Sequence, residues 1–322
     1  MILKIRPHLT LGDVARMAGV EKSDLRALEA EGRLPAPRRD VANHRVYDFA
    51  EARSIVHLTA GSERRRIAVV NQKGGVGKTT TTFNLAGALV ARGRKVLAVD
   101  LDPQANLTSS LGIDLKEGEP SVEELFVDEE LDARAAIQKT RIPGLFCLPA
   151  RPRLAGVEIK IFDAFLRETI LDRKLEPLHG EYDFILLDCP PNLSLVTVNA
   201  LVASEEALVP VEAQTYSIKA ISDLTNTVAL IRSRLGRGVA LRFLPTKIDE
   251  RLKVGREILE AIRTGLKERV LPPIRTDANL VRAPMLRAPA AFSCPRSRGA
   301  KDYARLAEAL LTPPPGGQEA SP

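Results

Sequence analysis

The chain has 322 residues, 44% apolar and 27% charged, a balance that buries a substantial core without covalent or metal support. Its three cysteines show no C-x-x-C spacing and its four histidines no metal-ligand interval, so neither a disulfide framework nor a zinc site is indicated. A net charge of +6 favours polyanionic partners, whereas no apolar run nears the roughly 20 residues a bilayer requires, and the amino terminus lacks a signal-peptide pattern. The expectation is a cytoplasmic protein without a membrane partner. The charge is unevenly spread: Met1 to Arg66 holds 13 Lys or Arg against 9 Asp or Glu. That stretch is the first place to look for nucleic-acid binding.

In chain order, "LTLGDVARMAGV" puts Leu11, Val14, Ala15 and Ala18 on one helical face, and Gly19 ends it. "EKSDLRALEAEG" starts a second helix that Gly32 ends, Pro35 and Pro37 block helix, "RRDVANHRVYDF" predicts a hairpin or wing, and "FAEARSIVHLTA" a third helix. Ser62 to Arg66 reads as a polar, basic connector. From Ile67 the pattern changes to short apolar strands at Ile67–Val70, Val96–Asp100, Phe184–Asp188, Ala207–Val211 and Leu241–Leu244, separated by helical segments. This predicts an α/β fold with a doubly wound, mostly parallel sheet. The expected divisions are 1–61 for a helical winged helix-turn-helix domain, 62–312 for a nucleotide domain and 313–322 for a disordered tail rich in Pro and Gly.

The first strand runs into "NQKGGVGKTT" and then a helix, the context in which backbone N–H groups at a helix start cradle phosphates and glycines let them approach. Gly74, Gly75, Val76, Gly77, Lys78, Thr79 and Thr80 form the expected cradle, with Lys78 on the β- and γ-phosphates and the Thr79 hydroxyl on Mg²⁺. Gln72 stands where the simplest G-x-x-x-x-G-K-[ST] pattern has its first glycine, and a second lysine, Lys73, needs another purpose. Asp100 and Asp102 lie two apart on the next strand and reach the carboxyl edge of the sheet on one side, where ligands of open α/β folds bind.

"KGGVGKTT" resembles the deviant Walker A motif of the ParA/MinD ATPase superfamily. The resemblance implies a P-loop ATPase in which Lys73 crosses a homodimer interface to the partner's nucleotide, Lys78 serves its own, and catalysis depends on both with Asp102. In "VDLDPQAN" the second Asp, Asp102, positions the attacking water. "FILLDCPPNLSLVTVNAL" resembles the family's Walker B segment and makes Asp188, with Thr79, the Mg²⁺ site. "TKID" at 246–249 is similar to the family's T-x-x-D at a strand end and places Thr246 and Asp249 at the base of ATP; an N-K-x-D reading with GTP is the alternative. Beside these, Cys189 reads as a packed small side chain.

"LTLGDVARMAGVEKSDLRALEAEGRLPAPRRDVANHRVYDFAEA" resembles the MerR-type winged helix-turn-helix. It implies sequence-specific DNA contacts from Lys22, Ser23 and Arg26 on the second helix and from Arg38, Arg39, His44, Arg45 and Tyr47 in the wing. The ParA resemblance adds non-specific DNA binding near "IRTDANLVRAPMLRAP", where Asn279 occupies the usual arginine position and Arg282 and Arg287 lie nearby. Together these imply an ATP- and Mg²⁺-dependent partition ATPase of plasmid or chromosome, nucleoid-associated and stimulated by a ParB-like centromere-binding partner. The rivals are an ATP-regulated transcription regulator and a MinD-like positioning ATPase.

Overall fold

The computed structural model describes residues 8–34, 36–61, 63–212 and 218–311. The predicted tail, 313–322, lies outside the described residues.

The front of the chain forms strand β1 (Leu9–Thr10), helices α1 (Leu11–Ala18) and α2 (Lys22–Ala30), strands β2 (Arg38–Arg39) and β3 (Arg45–Tyr47), and helix α3 (Phe49–Ala60). Thr10 and Asp13 cap α1 reciprocally: Asp13 N donates to Thr10 Oγ1 at 3.2 Å and Thr10 N to Asp13 Oδ2 at 3.0 Å. Gly19 ends it in the left-handed region at φ +69°, which its missing Cβ permits. The three short strands pair antiparallel in the order β1-β3-β2, forming the predicted wing. Leu11, Val14, Ala15, Leu25, Tyr47, Ala52 and Ile55 share a small core beneath it.

The remaining strands are β4 (Arg65–Val69), β5 (Val96–Asp100), β6 (Gln138–Lys139), β7 (Leu145–Leu148), β8 (Phe184–Asp188), β9 (Glu206–Glu212) and β10 (Ala240–Thr246). They form one sheet in the order β10-β9-β4-β8-β5-β7-β6, parallel except for the β6–β7 edge pair. β4 pairs with β8 so that Ile67 faces Leu186 and Ala68 faces Leu187. Because side chains alternate across a strand, Ile67, Val69, Val96, Ala98, Phe184 and Leu186 fall into one core. Ala68, Val70, Leu97, Val99, Ile185 and Leu187 fall into the other. Helices α4 (Lys78–Val90) and Arg298–Leu311 cover the first face.

The structure corrects two sequence expectations. Arg65 and Arg66 begin β4 instead of closing a connector: Arg65 N donates to Asp183 O at 2.9 Å, and Arg66 is buried against Asp172 at 2.9 Å. Leu145–Leu148 is a strand that the sequence reading omitted. Four apolar residues after Pro143-Gly144 are too few to display a period.

Candidate functional site

Every strand that carries a predicted nucleotide residue ends at the same edge of the sheet. β4 leads into the glycine loop, β5 ends at Asp100, β8 at Asp188 and β10 at Thr246. The loop's shape demands glycine at two points: Gly75 has φ +76° and Gly77, the N-cap of α4, φ +96°, with open space where a Cβ would stand. Those positions bend the chain so that α4 starts with its N–H groups directed into the loop.

Lys78 opens α4, is 7% exposed, and donates from Nζ to Lys73 O at 3.1 Å. Burial lowers its pKa, opposed by the nearby Asp188. Its ammonium is therefore held inside the loop by one carbonyl, with donor capacity left for a phosphate. Lys73 is half-buried, anchored by its backbone N–H to Asn71 Oδ1 at 3.0 Å, and its ammonium makes no ion pair among the described residues.

Asp188 is fully buried; its Oδ1 accepts from Thr82 Oγ1 at 3.1 Å and its Oδ2 has no hydrogen-bond partner. Burial, and then the neighbouring Asp100, push its pKa well up. An orphaned buried carboxylate oxygen beside the first turn of α4, where Thr79 stands, fits a cation brought in with phosphate. Among the described residues no cluster of three His, Cys, Asp or Glu side chains could hold a metal alone. Thr79 and Asp188 are the residues that would hold Mg²⁺ with the nucleotide.

Asp100, at the end of β5, and Asp102, two residues beyond it, are engaged differently. Asp100 is buried and accepts from Thr108 N at 2.8 Å, Thr108 Oγ1 at 2.7 Å and Asp102 N at 3.2 Å, so it organises the loop after β5. Asp102 is half-buried and accepts Gln104 N at 2.9 Å, leaving it the carboxylate able to reach a water in the site. Cys189 is buried with its thiol pushed up by burial, the packed side chain expected of it.

A cavity of about 180 Å³ beside the loop is lined by Val76, Thr80, Thr246, Ile274, Asp277 and Tyr303 among others. Thr246 Oγ1 donates to Val76 O at 2.9 Å and ties the end of β10 to the loop. Asp249, predicted at the base, does not line this cavity. Arg251 pairs with it at 2.6 Å, the hydrogen bond that holds its carboxyl down to about 2. Asp277 takes the place beside the cavity, though its carboxylate already accepts Asn279 N and Gly299 N. The sequence offered no motif around Asp277 beyond an N-cap residue.

The predicted DNA residues divide. On α2, Lys22, Ser23 and Arg26 are exposed, with the Lys22 side chain lying close over Gly12 of α1. In the wing, Arg39 is exposed and its Nη1 donates to Asn43 O at 3.0 Å, while His44 lies 3.5 Å from Asp40. Arg45 and Tyr47 are engaged within the domain: Arg45 Nε and Tyr47 Oη donate to the two oxygens of Glu29, each at 2.8 Å, and strap the wing to α2. Arg38 bonds Asp48 at 3.0 Å and Glu51 at 2.9 Å, and Arg287 bonds Asp114 at 3.0 Å. Such exposed pairs contribute little and exchange readily for phosphate. Arg282 is exposed with no ion pair among the described residues.

Comparison with known proteins agrees with this geometry. The AAA domain family matches residues 64–241 and the MerR family regulatory protein family residues 10–47. Sporulation initiation inhibitor protein Soj of Bacillus subtilis is 40% identical over 244 residues, 75% of this chain and 96% of Soj. Chromosome-partitioning ATPase Soj of Thermus thermophilus is 39% identical over 251 residues, 77% of this chain and 95% of the relative. Among solved structures, cobyrinic acid a,c-diamide synthase from Mycobacterium smegmatis, with bound ATP analog and magnesium, superposes with a TM-score of 0.68 at 35% identity. That likeness covers 77% of this chain and 94% of the other.

Proposed function

This chain belongs to the Soj/ParA family of partitioning ATPases, and from that premise we propose that its nucleotide site is a dimerisation-gated switch acting on DNA. It is an ATPase that takes ATP with Mg²⁺ and serves DNA partition. The observation that carries the switch reading is the contrast between its two loop lysines: Lys78 is sheltered and turned into its own loop, whereas the Lys73 ammonium makes no ion pair among the described residues.

In this reading Lys78 and the N–H groups at the start of α4 hold the β- and γ-phosphates of their own subunit. Asp102 orients the attacking water for in-line displacement at the γ-phosphate. Thr79 and Asp188 would hold Mg²⁺, which would supply neutralisation of charge on the phosphate oxygens. Lys73 enters the site of a second copy and meets charge that develops on the transferring phosphoryl group, so hydrolysis waits for the homodimer. Lys22, Ser23 and Arg26 give α2 a face toward DNA, and Arg282 with Arg287 gives the ATPase part a sequence-independent one. A ParB-like partner accelerates turnover.

Lys73→Ala tests this. Nucleotide affinity should stay at the parental level while turnover falls about a thousandfold, the scale of a cation supplied in trans. Parental-rate hydrolysis by this variant removes the in-trans role. The MerR family match supports a second reading, an ATP-regulated transcription regulator without a segregation role. Loss of replicon inheritance on deleting the gene, with its promoter activity unchanged, separates partition from regulation.

A further inference from the structure

The opposite edge of the sheet carries a second organised polar centre. α3 has two working stripes. Ala52 and Ile55 face α1 in the small front core, while Phe49, Arg53, Val56 and His57 recur at helical spacing on another side. The second stripe sits on the strand starts. Arg53 Nε and Nη2 each donate to the fully buried Asp183 at 2.8 Å, His57 Nε2 lies 3.0 Å from it, and Lys95 N donates to it at 2.7 Å. Phe49 covers Gly144 so closely that a Cβ there would lie 2.2 Å from the ring; Val56 covers Gly93 in the same way, with 2.7 Å left. Arg94 donates to Gly61 O and fastens the end of α3.

Asp183 precedes β8, Lys95 precedes β5 and Gly144 precedes β7. These strands are parallel neighbours, so α3 grips the edge opposite the nucleotide loop. At about 3.3 Å per residue, Asp183 and Asp188 on β8 stand roughly 16 Å apart. α1 packs against both α3 and α2, so α2, with Lys22, Ser23 and Arg26 exposed, stands one helix farther from the grip. The third side of α3 bears Ala50, Ser54 and Leu58, one large apolar side chain and far from the roughly 800 Å² per partner that a stable pairing of readers needs.

We infer that each chain reads DNA as a single, unpaired helix-turn-helix, and that the nucleotide-bound dimer carries its two readers at its far ends and so holds two separate DNA segments at once. The inference rests on the proposed DNA role of α2 and the in-trans role of Lys73. Joining two copies through Lys73 apposes their loop edges, and the rigid seating of α3 then places both sheets between the readers. Among the described residues, the outer side of α3 offers too little apolar surface to pair two readers across an adjacent palindrome.

The test is selection from a random duplex library by the full chain, with ADP and with a non-hydrolysable ATP analogue. One short unrepeated motif should emerge in both states. An inverted repeat with centres about 10 base pairs apart overturns the inference while leaving DNA reading by α2 intact. No enriched motif removes the DNA reading and the inference with it. A second measurement uses the selected duplex on beads and a labelled copy in solution, with excess scrambled duplex to occupy the sequence-independent surface. Capture of the labelled copy should rise several-fold with the analogue over ADP and vanish in Lys73→Ala. Equal capture in the two nucleotide states, or none in either, overturns the two-segment claim.

Discussion

Strand β8 has a buried aspartate at each end, and the two are treated in opposite ways. Asp183, at the start, receives both arms of Arg53 and the Lys95 N–H, with His57 beside it. Asp188, at the end, has the Thr82 hydroxyl on one oxygen, no hydrogen-bond partner on the other, and the Thr79 hydroxyl nearby. The same residue type, equally buried, is adhesive where its hydrogen-bonding capacity is met and receptive where it is not. The pKa directions agree. Burial pushes Asp183 up, but the Arg53 and Lys95 hydrogen bonds outweigh it and leave it lowered, whereas Asp188 stays raised.

The sharpest way to break this contrast is to delete both carboxylates separately. Asp188→Ala should cut Mg²⁺-dependent turnover about a hundred- to a thousandfold with little loss of fold stability. Asp183→Ala strands Arg53 and should cost about 3–5 kcal/mol in denaturant titration, while the folded fraction hydrolyses ATP near the parental rate. If the two variants exchange phenotypes, the division between edges is wrong. A smaller effect is expected from Asp102→Ala. Turnover should fall about a hundredfold with nucleotide binding kept, so that an ATP-bound dimer accumulates in size measurements; a monomer, or normal turnover, ends its assignment.

The mildest effect should come from pH at the adhesive edge. Burial holds the His57 pKa below its ordinary value despite Asp183. The unfolded chain therefore binds this proton more readily, and the stabilisation that is full above about pH 6.5 is lost as pH falls from there through the lower folded pKa. His57→Gln should flatten the slope of melting temperature between pH 7 and pH 5.5. An unchanged slope would locate the titration elsewhere.

The receptive edge was legible in the sequence because each of its parts is local. Glycine, lysine and threonine spacing after an apolar strand fixes the loop, and β5 and β8 occupy the ranges their apolar runs predicted. The adhesive edge was not legible. The Phe49, Arg53, His57 stripe has helical period, but Arg53 and Asp183 are 130 residues apart and nothing near either names the other. The strap of Arg45 and Tyr47 onto Glu29 was hidden for a related reason: the partner lies 16 and 18 residues away, and no local pattern names it. At 246–249 the motif placed Thr246 on the cavity but not Asp249, because Arg251, two residues on, captures the carboxylate first.

Gly87, in the middle of α4, meets Pro289 so closely that a Cβ there would lie 2.2 Å from the proline Cβ, and three residues earlier Asn84 Oδ1 accepts Ala290 N at 2.9 Å. The helix that presents its first turn to phosphate is thereby clamped, backbone against ring, to the segment that follows Arg282 and Arg287. A displacement of α4 at its phosphate end would therefore bear directly on the segment that carries this basic surface, about two to three turns along the helix.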